Sequence, residues 1–119
     1  MRYKIGDVCY VFEGTKERPV VIINNGLGID IDVSFARVTT KKPRNEFDIP
    51  LDKWKEAGLE RPSLVRCSKV NTITPGDELV KIGTLQPEDL LAVVDGVKLY
   101  FERGFESVRS SHFRKIKED

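Results

Sequence analysis

Two polar pairs in the sequence combine residue types that bind phosphate groups in proteins. They are Arg37 with Thr39 and Arg66 with Ser68, and Arg18, next to Glu17, is a further candidate. One residue separates the members of each pair, so in a β-strand both side chains of a pair lie on the same face. A guanidinium group donates two parallel, charge-assisted hydrogen bonds to phosphate oxygens. If the fold brings these faces next to Arg18, the sequence predicts two guanidinium and two hydroxyl groups around a space of phosphate size.

A strongly apolar strand should hold Arg18 in place. Four consecutive β-branched residues, 20–23, follow Arg18 and Pro19 directly, and such a run is typical of a buried strand. Proline is tolerated at the first position of a strand. Arg18 is therefore expected at the mouth of a rigid element, where an ordinary structural role at a strand end is the alternative to binding an anion.

Further strands are expected around this one. Residues 8–12 show the period of two of a strand with one face more buried than the other, and a short turn at 13–16 leads back to Arg18. The remaining strand candidates are 33–40, 47–51 and 64–73. Residues 52–59 could form a helical turn that closes at Gly58.

One helix is expected near the carboxyl end of the chain. It should begin at Pro87, because proline suits the first helical position and the acidic residues 88 and 89 interact favourably with the helix dipole. Gly96 weakens the helical pattern and predicts a break or bend there. The expected apolar stripe consists of Leu90, Val94, Val97 and Phe101.

The composition describes a single globular domain with little net charge. The chain has 119 residues, of which 39% are hydrophobic and 33% charged, and its formal net charge is +1. No apolar run approaches the roughly 20 residues that span a bilayer, and the amino terminus lacks the apolar segment of a secretory signal. We therefore expect a cytoplasmic protein with no membrane partner. The small net charge also argues against a protein that coats nucleic acid without specificity.

Metal and nucleophile chemistry have little support. Cys9 and Cys67 lie far apart within apolar strand patterns, which favours small buried hydrophobic residues over ligands or a disulfide. His112 is the only histidine and lies in a polar carboxy-terminal tail. A zinc site and most nucleophilic triads lack the residues they need, so we expect no metal and no cofactor.

A local basic groove is compatible with a net charge close to zero. Its candidates lie within or just after the two strands that carry the polar pairs: Arg37, Lys41, Lys42, Arg44, Arg66 and Lys69. The alternative is that these are solvated charges at strand edges, which protect against aggregation.

The order and spacing of several segments point to a family. The segments are 17–24, 35–40, 48–51, Trp54, 57–59, 62–63, 65–73 and 81–85. Together they resemble the MazF/PemK family of toxin endoribonucleases over roughly residues 5 to 95. The resemblance implies an α+β fold, a small, mainly antiparallel SH3-like β-barrel with a C-terminal helix, which is shared with CcdB-type toxins. It makes residues 1–104 the toxin domain and 105–119 an extension that could be a frayed helix, a dimer-packing arm or disordered.

The resemblance also implies an activity. Members of this kind cleave single-stranded RNA without metal, as the toxin of a toxin–antitoxin pair, by attack of a 2′-hydroxyl on the adjacent phosphate to give a cyclic phosphate and a 5′-hydroxyl. Arg18 and Thr39 match the family's catalytic arginine and threonine, and Arg66 and Ser68 match a second pair. The RNA-binding candidates are Glu17, Arg37, Thr40, Lys41 and Lys69. The implied partners are RNA, a cognate antitoxin and a second copy of the chain.

Two features depart from the family pattern. Ser68 stands where an aspartate is common, and because a serine cannot act as a base unaided, the general base is unassigned, with Glu17 a candidate as the neighbour of Arg18. The turn at 13–16 is also shorter than the loop usual in the family. These departures keep open an interaction domain that has lost activity. A second alternative is a gyrase-binding toxin of the CcdB type. The pattern of Arg18, Pro19 and Thr39 argues against this alternative.

Some residues have plainer interpretations. Arg66 could pair with a carboxylate such as Glu46 or Asp48. Trp54 could stack on a base, although a role as core anchor is the ordinary one.

Overall fold

A single antiparallel sheet and one long helix make up the structure. The computed structural model describes residues 2–76 and 79–118, and for residues 113–118 it describes the backbone only. The strands are β1 (Asp7–Glu13), β2 (Lys16–Asn24), β3 (Val33–Thr39), β4 (Asp48–Pro50), β5 (Leu64–Ile73) and β6 (Leu79–Thr84), followed by helix α1 (Pro87–Glu118). A short 3₁₀ turn, Gly26–Gly28, lies between β2 and β3.

The strands follow the order β4-β5-β3-β2-β1-β6, and each strand pairs antiparallel with its neighbours. The predicted α+β class, the antiparallel pairing and the C-terminal helix are confirmed. Within the described ranges, β4 and β6 do not pair with each other, so the sheet is open and deviates slightly from the predicted closed barrel.

Most strand predictions are confirmed, with one exception, β6. β5 has the predicted bounds, and β1 and β2 meet at a two-residue turn of Gly14 and Thr15, where Glu13 pairs with Lys16. β6 is absent from the strand candidates above because Lys81, Gly83 and Thr84 interrupt its apolar pattern. Residues 52–58 form successive turns that include a helical hydrogen bond from the N–H of Ala57 to the carbonyl of Lys53 at 3.2 Å, in agreement with the predicted helical turn.

Gly58 ends these turns where no other residue would fit easily. Its φ is +92°, and a Cβ there would lie 2.5 Å from the carbonyl oxygen of Ile82. The segment is tied to the start of α1 by the buried carboxylate of Asp89, which accepts hydrogen bonds from the backbone N–H groups of Asp52 and Lys53 at 3.1 and 2.9 Å.

The sheet has an apolar cluster on each face. The first cluster includes Val21, Val65 and Cys67 and packs against Val93 of α1. The second is formed almost entirely by the strands, with Tyr3 at its edge: its members are Tyr3, Cys9, Val11, Val20, Ile22, Val33, Phe35 and Leu79. Because adjacent residues of a strand face opposite sides, the apolar run of β2 supplies both clusters.

Helix α1 begins at Pro87 as predicted, and its buried face is predicted in part: Leu90 and Val97 pack against the first cluster. Val93 is fully buried, whereas Val94 and Phe101 are 38% and 41% exposed. The predicted break at Gly96 is wrong, since the helix is continuous, and Gly96 packs closely against the sheet. A Cβ there would lie 2.9 Å from the Sγ of Cys67 and 3.0 Å from Cγ1 of Ile49. Close approach to the sheet therefore explains the glycine.

Among the described residues, no helix combines the length and the apolar character needed to cross a membrane.

Candidate functional site

A polar groove of about 260 Å³ lies at one end of the sheet. Six of the nine predicted site residues line it: Glu17, Arg18, Arg37, Thr39, Lys41 and Arg66, together with Pro19 and Val38. The other three described candidates, Thr40, Ser68 and Lys69, are not part of its lining. The structure therefore brings together most of the predicted cluster.

The register of the sheet explains this convergence. Arg37 of β3 pairs with Val20 of β2 on one side and with Arg66 of β5 on the other. Arg18 lies two residues before Val20, so it shares the face of Val20 and Arg37. Val20 belongs to the apolar cluster on the face away from α1. The groove therefore lies on the same face of the sheet as the second apolar cluster, next to the edge of that cluster.

Glu13 links two arginines at the hairpin end of the groove. Its Oε2 lies 3.3 Å from Nε of Arg18, and its Oε1 accepts a hydrogen bond from the guanidinium of Arg37. The side chains of Glu13, Arg18 and Arg37 are 40%, 47% and 33% exposed. Water screens such contacts, so they hold the arginines only loosely.

The sequence analysis overlooked Glu13, although the sequence contained a signal for it. A two-residue turn at Gly14 and Thr15 places Val11 opposite Arg18. Glu13 is two residues beyond Val11 and therefore lies on the same face as Arg18. Hairpin register combined with the period of two would have identified this carboxylate as the partner of Arg18.

Asp48 holds Arg66 at the opposite end of the groove. The two residues are paired between β4 and β5, and Arg66 donates from NH1 to Oδ2 of Asp48 at 2.7 Å. Arg44 adds hydrogen bonds to the same oxygen from its backbone N–H, at 2.8 Å, and from Nε, at 3.1 Å. The interpretation of Arg66 as the partner of Asp48 is confirmed, and Glu46 instead pairs with Arg103.

The environment of Asp48 favours its charged form. Its burial would by itself raise the pKa, but the hydrogen bonds from Arg44 and the charges of Arg66 and Arg44 outweigh burial and hold the pKa of Asp48 below its ordinary value. Arg66 is therefore held by a buried carboxylate whose charged form is favoured.

Thr39 and Lys41 complete the groove. The hydroxyl of Thr39 accepts a hydrogen bond from the backbone N–H of Lys41 at 3.2 Å. The hydroxyl proton remains free to be donated to a ligand, since a hydroxyl group has one donor and two acceptor sites. Thr40 lies between these two residues but is not part of the groove lining.

Ser68 and Lys69 lie at an irregularity of the sheet. Arg37 pairs with Arg66, but the preceding residue Ala36 pairs with Val70, so residues 67–69 of β5 have no direct partner on β3. The period of two does not continue through such a bulge. Ser68 lies outside the groove lining, and its predicted alignment with Arg66 around one phosphate stays a prediction.

Three other interpretations can be compared with the structure. Cys9 and Cys67 are buried free thiols, as predicted. Desolvation by burial raises the pKa of Cys9 to about 11 and that of Cys67 to about 12. Trp54 is half-buried and packs against the apolar cluster next to α1, which confirms its interpretation as a core anchor.

The groove combines four cationic side chains with one hydroxyl group. Arg18, Arg37, Lys41 and Arg66 supply the positive charge, and Glu17 is the acidic group of the lining. Such a surface can bind a phosphodiester through charge-assisted hydrogen bonds. No group of three or more potential ligands among the described His, Cys, Asp and Glu side chains is arranged to hold a metal ion.

Comparison with known protein families gives the class of the protein. The family model described as the PemK-like, MazF-like toxin of type II toxin–antitoxin systems matches residues 8–101. The chain therefore belongs to this family of toxins, whose general kind of activity is that of an endoribonuclease.

Solved structures agree with this assignment. The chain is similar to a toxin in a MazE–MazF complex from Deinococcus radiodurans, with a TM-score of 0.70, 12% identity, and coverage of 83% of this chain and 94% of that one. It is similar to an endoribonuclease in complex with its cognate antitoxin from a mycobacterial species, with a TM-score of 0.68, 19% identity and coverage of 82% and 92%. The Mycobacterium tuberculosis toxin MazF-mt6 gives a TM-score of 0.64, 26% identity and coverage of 81% and 96%. A comparison with curated protein sequences gives no match.

Proposed function

We propose that this protein is a sequence-selective, metal-independent endoribonuclease that cleaves single-stranded RNA as the toxin of a toxin–antitoxin pair. The observation that carries the proposal is the convergence of Arg18, Thr39 and Arg66 on one groove of about 260 Å³. Membership of the toxin family supports it.

The proposed reaction is a transfer within the RNA backbone. The 2′-hydroxyl gives its proton to a base and its oxygen forms a bond to the adjacent phosphorus, while the bond from phosphorus to the 5′-oxygen breaks. The 5′-oxygen takes up a proton from water, so the products are a 2′,3′-cyclic phosphate and a 5′-hydroxyl. Negative charge builds on the phosphoryl oxygens in the transition state, and preorganised donors aimed at these oxygens accelerate the reaction. Arg18 supplies the charge-assisted donor, and Thr39 supplies a hydroxyl donor.

Arg66 has a different part in the proposed site. The buried Asp48 fixes its guanidinium before RNA binds, so Arg66 provides a prepositioned contact for a phosphate. The proton of the 2′-hydroxyl needs an acceptor. Glu17 lines the groove and Glu13 contacts Arg18, so these two carboxylates are the candidates for the general base.

Single-stranded RNA fits the groove best. In-line attack needs a backbone that can rotate out of helical geometry, and proteins read RNA sequence mainly from unstacked bases. Arg37 and Lys41 extend the positive surface beyond the reacting phosphate and would contact neighbouring phosphates. Thr40 and Lys69 are retained as outer RNA-binding candidates, and Ser68 as a peripheral one.

The proposal includes a cytoplasmic location, a cognate antitoxin and a homodimer. A solved relative is in complex with its cognate antitoxin, which supports such a partner here. Inhibitor segments that fold on binding suit a positively charged groove, because they can wrap a surface of this kind with acidic side chains.

An end-labelled RNA assay in a metal chelator tests the proposal. We expect fragments with a 5′-hydroxyl and a 2′,3′-cyclic phosphate from the wild-type chain, and fragments reduced at least about 100-fold with Arg18→Ala. Arg18→Lys is the matched control, since it keeps the charge but removes the planar fork. Uncleaved RNA that still binds in the groove would instead favour an interaction domain, for which the short turn between β1 and β2 argues.

A further inference from the structure

The row of polar side chains in the groove continues to the outer edge of the sheet. Arg37 of β3 pairs with Arg66 of β5, and Arg66 pairs in turn with Asp48 of the edge strand β4. Arg18 lies on β2, on the other side of β3. Neighbouring strands are about 4.8 Å apart, so the row from β2 to β4 spans about 14 Å. One phosphate group cannot contact a row of this length, so a nucleic-acid strand that follows the row brings a second phosphate to its β4 end.

Arg44 lies at the β4 end of the row, in the segment that leads into this strand. Its Nε and Nη2 donate to Oδ2 and Oδ1 of Asp48 at 3.1 and 3.4 Å. The same Oδ2 accepts a hydrogen bond from Nη1 of Arg66 at 2.7 Å. Asp48 is fully buried, whereas the Arg44 side chain is 43% exposed. Two guanidinium groups therefore share one buried carboxylate, and that of Arg44 reaches solvent outside the groove lining.

Arg44, Asp48 and Arg66 form a cluster with surplus positive charge, which we call the Asp48 cluster. It contains two positive side chains and one negative side chain, so its net charge is +1. A guanidinium group has five N–H donors, and Asp48 takes up only two of those of Arg44. Among the described residues, Nη1 of Arg44 has no hydrogen-bond partner. A phosphate would balance the surplus charge and accept hydrogen bonds from the free donors.

The backbone also holds Arg44 in place before a ligand binds. The N–H group of Arg44 donates to Oδ2 of Asp48 at 2.8 Å, and the N–H group of Asp48 donates to the carbonyl of Asn45 at 3.2 Å. The side chain of Asn45 accepts a hydrogen bond from the N–H group of Phe47 at 2.9 Å. Arg44 is therefore restrained at both backbone and side chain, which lowers the entropy lost when it contacts a ligand.

We propose that Arg44 binds a second RNA phosphate, which flanks the reacting phosphate on the β4 side of the groove. The inference rests on the proposed function, because it takes RNA as the ligand and places the reacting phosphate at Arg18 and Thr39. It adds a binding site that the groove lining does not include. The protein then needs an RNA that extends past the edge strand β4, and an RNA that ends at the reacting phosphate binds without this contact.

The salt dependence of binding tests for the extra contact. The probe is a short single-stranded RNA of random sequence with 2′-fluoro groups, which has no 2′-hydroxyl to attack and stays intact. The measurement is the slope of log binding constant against log salt concentration. Arg44→Gln should make this slope shallower by about 0.7, the value of one phosphate contact on a single strand.

Lys42→Gln is the matched control for this variant. Lys42 is two residues away, is exposed, and forms no ion pair with the residues that the structure describes. The two variants make the same change in net charge, so any general electrostatic effect is equal in both. Lys42→Gln should leave the slope close to that of wild type, and urea unfolding of both variants should show that the fold is retained.

Neutral phosphate substitutes locate the contact without changing the protein. The probe is an uncleavable RNA of the sequence cut in the end-labelled assay, in which a methylphosphonate replaces one phosphate at a time. Wild type should bind about 5-fold to 10-fold more weakly when the flanking phosphate is neutral. Arg44→Gln should lose its sensitivity at that linkage alone and keep it at the linkage that is cleaved. A purely structural role of Arg44 would instead weaken binding to every RNA equally.

The results separate this inference from the proposed function. The inference is overturned if Arg44→Gln changes the salt slope no more than Lys42→Gln, or if it is sensitive to the same linkages as wild type. Wild type that binds RNA but does not cut it contradicts the proposed function alone, because the salt comparison needs no cleavage and still tests Arg44. Wild type that does not bind RNA contradicts both.

Discussion

Each end of the groove has an arginine paired with a carboxylate, but the pair is exposed at one end and buried at the other. At the hairpin end, Glu13 contacts Arg18 and Arg37, and the Glu13 and Arg18 side chains are 40% and 47% exposed. At the other end, Asp48 is fully buried and Arg66 is only 12% exposed. Exposed ion pairs contribute at most about 1 kcal/mol to stability, whereas removing one partner of a buried pair costs about 3 to 5 kcal/mol. The hairpin end can therefore rearrange around a ligand, while the Asp48 end is part of the folded scaffold.

The largest expected effect is on stability and comes from Asp48. Asp48→Asn should lower the free energy of unfolding by about 3 kcal/mol, because it leaves Arg66 without its charged partner in a buried site. The measurement is urea unfolding at pH 7.

The pH dependence follows from the lowered pKa of Asp48. A carboxyl group whose pKa is lower in the folded state stabilises the protein fully above its ordinary pKa of about 3.9, and this contribution disappears as the pH falls through the lowered value. Asp48→Asn should therefore flatten the stability profile below about pH 4. A variant that kept both wild-type stability and the same acid dependence would show that the buried pair is not part of the scaffold.

The next effect is on catalysis and comes from Arg18. Arg18→Ala should lower RNA cleavage by at least about 100-fold, because it removes a charged donor from the transition state, and should change the free energy of unfolding by less than about 1 kcal/mol. Single-turnover cleavage and urea unfolding of the same preparation test both parts. Near wild-type cleavage by the folded variant would remove Arg18 from the proposed mechanism.

A smaller loss is expected at Thr39. Thr39→Val retains the β-branched shape and deletes the hydroxyl, so cleavage should fall by about 10-fold to 100-fold while stability changes little. Cleavage rate and melting temperature are compared with wild type. A sharp fall in melting temperature would mean that the hydroxyl contact with the backbone of Lys41 is structural.

Glu13 should affect binding by a few-fold. Glu13→Gln releases Arg18 and Arg37 from their carboxylate, so an uncleavable RNA should bind about 3-fold more tightly at low salt, with unfolding free energy unchanged within about 0.5 kcal/mol. Fluorescence titration measures the affinity of both proteins for this RNA.

The same titration across salt concentrations gives the slope of log binding constant against log salt concentration. Three to four phosphate contacts from the groove cations predict a slope of about −2 to −2.8, and a slope near zero would mean that the groove does not bind phosphates.

The smallest effect is expected at Ser68. Ser68→Ala should change cleavage less than about 3-fold, well below the loss expected for Arg18→Ala, because Ser68 lies at the sheet irregularity outside the groove lining. The same single-turnover assay ranks the two variants. Equal losses in two folded proteins would show that the bulge moves Ser68 into the site when RNA binds.

Much of the fold could be predicted from local patterns. The period of two located β1, β3 and β5, and Pro87 located the start of α1. β6 could not be found in this way, because its charged and small residues give no clear alternation. The buried side of α1 was assigned only in part: Leu90 and Val97 pack against the sheet as predicted, whereas helical spacing alone does not show that Gly96 lies close to Cys67 and Ile49.

The candidate site shows the same difference between what local sequence patterns predict and what they do not. The sequence determined by itself the residue types that can bind phosphate and the shared face of Arg37 and Thr39, and through the family resemblance it indicated Arg18 as a candidate catalytic residue. The tertiary structure decided which of these residues meet. Pairing between β3 and β5 brings Arg66 beside Arg37, the hairpin adds Glu13, and Ser68 lies outside the groove lining. These outcomes depend on strand register, which is set by hydrogen bonds between distant segments and is not contained in the pattern of any one strand.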